Sequence, residues 1–106
     1  MKERIQELMT KLKLEVVRVY GGRLKGVYLF GSYARNEADE ESDVDVLIVL
    51  DRVDDYSAEI DRTGEVISEL SLRFGVTISR AFTTERQWSE EQTMFLLNVR
   101  EEAVPA

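Results

Sequence analysis

The run Ser42-Asp43-Val44-Asp45-Val46-Leu47-Ile48-Val49-Leu50 constrains the fold more than any other stretch of the chain. Period-two alternation puts Asp43, Asp45, Leu47 and Val49 on one face of a strand, and Val44, Val46, Ile48 and Leu50 on the other. A strand with one wet face would stay polar along that face. Here the acids give way to Leu and Val, so both faces are covered further along and the strand over residues 44–50 is central to its sheet. The two carboxylates then share one end of one face, ~6.5–7 Å apart along the strand. Like charges so placed repel, and each raises the pKa of the other unless a cation intervenes.

The stretch before this run supplies a complementary half. Val27-Tyr28-Leu29-Phe30 reads as a short strand over residues 26–31 that ends at Gly31, with a loop or short helical turn over residues 32–42. A glycine after a strand lets the backbone turn sharply and lets a ligand come close. The amides that open the following turn, with the Ser32 hydroxyl beside them, can hold phosphate oxygens. Arg35 has two readings, neutralising a phosphate or pairing with Glu37 or Asp39. Asn36 suits a left-handed backbone, and the Ser42 hydroxyl can orient the loop.

The remaining elements are sketched by periodicity. Residues 3–22 predict a helix with Ile5, Leu8, Met9, Leu12, Val16, Val19 and Tyr20 at helical spacing, stopped by Gly21-Gly22. Leu14 and Val17 lie off that stripe and suggest a second covered face. Residues 51–56 form a turn, and residues 57–74 predict a second long helix ended by Gly75. Gly64 inside it costs about 1 kcal/mol against Ala, which a close backbone approach would offset. Residues 76–83 alternate as a third strand, and Thr84-Glu85-Arg86-Gln87 is a capping box opening a last helix to about Glu102. Ser89-Glu90-Glu91-Gln92 is a rival capping box that would break that helix in two. The order α-β-β-α-β-α describes one domain over residues 1–106, an α/β (α+β) fold with a small mixed sheet and helices packed against it.

Composition narrows the chemistry. The chain has no cysteine and no histidine, which excludes disulfides, thiol nucleophiles, Cys/His zinc sites and a histidine base. Oxygen ligands remain, and these suit Mg²⁺, Mn²⁺ or Ca²⁺. A net charge of −7 argues against an extended nucleic-acid surface, which needs clustered Lys and Arg. No apolar run approaches the ~20 residues that span a bilayer, and the charged start is unlike a signal peptide, so a cytoplasmic protein with no membrane partner is expected.

Gly31-Ser32-x-Ala34-Arg35 followed by Ser42-Asp43-x-Asp45 resembles the signature of the DNA polymerase β-like nucleotidyltransferases, specifically their minimal prokaryotic members. The tail from Phe95 to Glu102 is also similar to the end of such domains. The resemblance implies transfer of a nucleoside monophosphate from an Mg²⁺-bound NTP, with ATP expected and Mn²⁺ as the alternative ion, to a hydroxyl of a protein or RNA. In that scheme Asp43 and Asp45 are catalytic and ligate metal, and Gly31, Ser32, Arg35 and Ser42 bind the nucleotide. It also implies a small all-helical partner of the HEPN type, with this chain as the antitoxin of a toxin–antitoxin pair. Two departures stand out. Asn36 replaces the usual glycine after the arginine, and the family's third carboxylate, expected near Thr77, is missing from a strand that offers Thr77 and Ser79. Asp51 lies about 26 Å along the strand from Asp43 and Glu85 beyond the end of the third strand, so neither substitutes. The alternative is a module that binds metal-nucleotide or a partner without turnover.

Overall fold

The computed structural model describes residues 3–106. Its elements are α1 (Glu3–Tyr20), β1 (Leu24–Phe30), β2 (Val44–Leu50), α2 (Tyr56–Phe74), β3 (Ile78–Thr84), α3 (Glu85–Glu90), α4 (Met94–Glu102) and β4 (Val104–Pro105). A short 3-10 turn over Gly21–Arg23 follows α1. The strands form one mixed sheet in the order β3-β2-β1-β4. β2 runs antiparallel to β1 and parallel to β3, so it lies inside the sheet as its apolar faces require.

Each face of β2 has its own cover. Val44, Val46, Ile48 and Leu50 pack with the apolar stripes of α1 and α2 in the larger core. Leu47 and Val49 pack on the opposite face with Val99 of α4 and against Trp88 of α3. The second cover is small, and it reaches only part of the way along the strand. Asp45, one step nearer the strand's start on that face, is left half-buried.

The long helices end as anticipated. Asp55 caps α2 by accepting the Ala58 amide, and Gly75 closes it in the left-handed conformation at φ 64°. Thr84 and Gln87 form the expected capping box at α3. Four expectations need correction. Leu14 and Val17 are 58% and 44% exposed, so α1 buries one face only. Nothing lies within 4 Å of where a Gly64 side chain would stand, so no backbone approaches there and α2 carries the cost of the glycine uncompensated. The last helix does break, but Thr93 caps the second half by accepting the Leu96 amide, in place of Ser89. Finally, Val104 and Pro105 add a fourth strand against Leu29 and Tyr28 of β1. Two residues with one proline carry no alternation, so this strand is visible only once β1 offers an edge.

Candidate active site

Antiparallel pairing of β1 and β2 joins the two halves of the motif. Phe30 at the end of β1 stands opposite Asp45 near the start of β2, and Gly31 follows directly. Gly31 is buried and adopts φ +76°, a left-handed conformation that a side chain resists. A methyl group there would collide with Asp45 Oδ2 and lie 3.1 Å from its Cγ. The Asp45 carboxylate therefore leans over the glycine turn, in the space that glycine leaves open.

The turn itself is tight. Arg35 N donates to Gly31 O at 3.1 Å and Glu37 N to Ser32 O at 2.9 Å, closing residues 31–37 into a hydrogen-bonded turn. Asn36 takes φ 59°, as its side chain allows. The opening amides of such a turn have no partner within it. Ser32 is half-buried on this turn. Ser42 braces the far side of the loop. Its Oγ accepts the Asp39 amide at 2.9 Å and donates to Asp39 Oδ1 at 3.2 Å, which gives the hydroxyl an orienting contact within the loop.

Asp43 lies just outside β2 and is exposed, while the next residue is tied to the neighbouring strand by Val44 N donating to Thr77 O at 2.9 Å. Burial pushes the Asp45 carboxyl above its ordinary value, and repulsion from Asp43 adds to the rise. Arg35 pulls in the other direction, but its guanidinium is already engaged. Its Nη1 donates to Glu102 Oε2 at 2.6 Å and its Nε to Glu37 Oε2 at 3.0 Å. Of the readings given for Arg35, the structure shows the ion pair with Glu37, while Asp39 bonds to Ser42.

Glu102 is the residue that sequence reasoning passed over. It ends α4, far along the chain, and accepts the Gly31 amide at 3.3 Å as well as the Arg35 guanidinium. An acid in an acidic helix tail carries no signal of this contact. The pairing depends on β4 anchoring the chain beside β1 immediately afterwards. On β3, Ser79 pairs with Asp45 and is exposed, while Thr77, near which the resemblance implied a carboxylate, lies just before the strand with its carbonyl accepting the Val44 amide, so neither position offers an acid.

The donor set suits a hard divalent ion such as Mg²⁺ or Mn²⁺. Two carboxylates supply oxygen only, and one of them is short of positive charge by its surroundings. Among the described residues no three acids converge closely enough to hold an ion, so phosphate oxygens and water would complete its shell. The helices of the protein are not long and apolar enough to cross a membrane among those described.

Comparison with known proteins assigns the family and agrees with the fold. The nucleotidyltransferase domain family matches residues 9–97. A Methanocaldococcus jannaschii protein, provisionally named a protein adenylyltransferase, is 37% identical across 92% of this chain and 89% of its own length. A second from the same organism, provisionally given the same name, is also 37% identical, over 71% of this chain and 75% of its own. Among solved structures, a toxin–antitoxin crystallised with AMP-PNP superposes with a TM-score of 0.62 at 18% identity, over 89% of this chain and 68% of that one. Sequence and fold agree across most of the length, and the chain belongs to the nucleotidyltransferase domain family.

Proposed function

We propose that the protein transfers AMP from ATP to a hydroxyl group of a protein acceptor, and that it does so as the antitoxin half of a toxin–antitoxin pair with a small helical partner. The names of the two relatives support adenylylation of protein, and the toxin–antitoxin neighbour supports the partner. An RNA hydroxyl is the other acceptor the family reading allows. The observation that carries the reading is the Asp45 carboxylate leaning over the Gly31 turn, pushed up by burial and by Asp43 beyond what Arg35 offsets.

Asp43 and Asp45 would hold the divalent ion. When bound, the ion offsets negative charge on the triphosphate and on the attacking and leaving oxygens. The amides of the turn that starts at Gly31 and the Ser32 hydroxyl receive phosphate oxygens, and Arg35 adds charge at the edge of that cradle. Gly31 has no side chain, and the space one would take is filled by the Asp45 carboxylate, which brings that acid against the turn. The Ser42–Asp39 bonds keep the acidic loop folded beside the site. The acceptor oxygen bonds to the α-phosphorus as the bond to the β-phosphate oxygen breaks, and pyrophosphate leaves with that electron pair. The hydroxyl proton passes to solvent, since Ser79 offers no carboxylate base at the position beside Asp45. Turnover by this route is slower than with a third acid.

The second reading, nucleotide binding without transfer, is favoured by that same Ser79. Incubation with α-labelled ATP, Mg²⁺ and the helical partner separates the two. We expect label on the partner, and a loss of about 10³-fold or more when Asp43 or Asp45 is replaced by Asn. Bound ATP with no label on partner or RNA would establish the binding module instead.

A further inference from the structure

The donors assigned to phosphate already hold an anion. One oxygen of Glu102 takes the Gly31 amide at 3.3 Å and the other takes the Arg35 guanidinium at 2.6 Å. A single carboxylate thus bridges the glycine turn and the arginine beside it, in the way a phosphate group would. The Glu102 side chain is only 18% exposed, so water competes weakly for it.

The backbone beneath Glu102 is fixed on both sides. Ala103 N donates to Val99 O at 2.8 Å and ends α4, and Val104 pairs with Leu29 in the sheet. The carboxylate can therefore leave its donors by rotating its own side chain, without unfolding the helix or the strand. Its position is also electrostatically unfavourable for the site. Glu102 adds to the negative charge that Asp45 already feels from Asp43. Departure of Glu102 relieves that repulsion and frees the two donors together.

We propose that Glu102 is a built-in competitor of the nucleotide phosphates: its carboxylate fills the Gly31 and Arg35 donors of the empty site, nucleotide must displace it, and Glu102 thereby sets nucleotide affinity. This rests on the nucleotide site described under the proposed function. The competing role, in which Glu102 holds Arg35 ready for phosphate, predicts the opposite sign.

Titration calorimetry with Mg²⁺-ATP distinguishes them. Glu102→Gln keeps the size of the side chain and removes its charge, so affinity should rise about three- to tenfold over the wild type. In an Arg35→Ala background the same change should have less than about a twofold effect, because the shared donor is gone. Glu101→Gln makes the same change in net charge next door and should leave affinity within about twofold. Melting curves of each variant confirm that the compared proteins are folded. ATP bound by the wild type but no more tightly by Glu102→Gln would overturn the competitor role alone. So would an equal gain from Glu101→Gln, or a full gain without Arg35. If neither the wild type nor any variant binds ATP, the nucleotide site itself is overturned, and the competitor with it.

Discussion

Two of the acids that this protein draws out of water are treated in opposite ways. Glu59 of α2 is 4% exposed, yet Tyr20 donates its hydroxyl at 2.8 Å, Arg62 its Nε at 2.9 Å, and Arg23 stands at 3.9 Å. Burial pushes the Glu59 carboxyl up, but the Tyr20 hydroxyl and Arg62 outweigh it, and the group sits below its ordinary range. Asp45 is half-buried, beside a second acid, and its carboxyl is pushed up. The chain has fourteen Lys and Arg residues, so cations were not scarce. Glu59 is completed from within, as a structural group must be. Asp45 is left for something from outside to complete, which is the expected state of a group that binds a cation.

The largest effect should come from the completed acid. Glu59→Ala strips the Tyr20 hydroxyl and two arginines of their shared partner and removes one polar tie between α1 and α2. About 2–3 kcal/mol of stability should be lost, below the full cost of breaking a buried pair because Arg62 is half exposed. Urea unfolding monitored by circular dichroism measures it. A loss under about 0.5 kcal/mol would mean that this cluster is ornamental and the contrast with Asp45 empty.

Much of this contrast could be read before the structure. Alternation in Ser42–Leu50 implied a strand covered on both faces with its acids at one end, and the structure bears this out through two separate covers. Periodicity located α1 and α2 because each buries a regular stripe, and β3, expected over residues 76–83 and found at Ile78–Thr84, because Ile78 and Phe82 face the larger core. What escaped was everything decided by long-range pairing. Glu59 reads as one more exposed acid until α1 brings Tyr20 against it. Glu102 reads as a helix tail until β4 folds that tail beside Gly31. Gly64 showed the reverse failure, since a local rule asked for a close contact that the packing does not provide. Spacing reports which face a residue occupies, but not which distant side chain will meet it there.

The two acids should also answer pH with opposite signs. Glu59 sits below its ordinary value of 4.5, so its contribution to stability is complete above that pH and fades as pH falls through the lower folded value. Asp45 sits above its ordinary value of 3.8, so its penalty is absent below that pH and appears as pH rises through the higher folded value. Measured against the wild type, the deficit of Glu59→Ala should therefore shrink between pH 7 and pH 3. The comparison fails if that deficit is as large at pH 3 as at neutrality.

The smallest effect is the most diagnostic, because it is a gain. Asp45→Asn removes a repelled charge while keeping the shape that leans over Gly31, so the metal-free protein should become more stable at pH 7. The gain is on the order of 0.5 kcal/mol, kept small by solvent that screens a half-open site, and it should vanish by pH 3. Mg²⁺ should act in the complementary direction. It should raise the melting temperature of the wild type, where it relieves the repulsion between Asp43 and Asp45, and leave Asp45→Asn unmoved. Melting curves with and without Mg²⁺ in both proteins test this without any nucleotide present. A wild type indifferent to Mg²⁺, together with an Asp45→Asn protein that melts lower, would show that Asp45 is held by the fold as firmly as Glu59 and is not waiting for a cation.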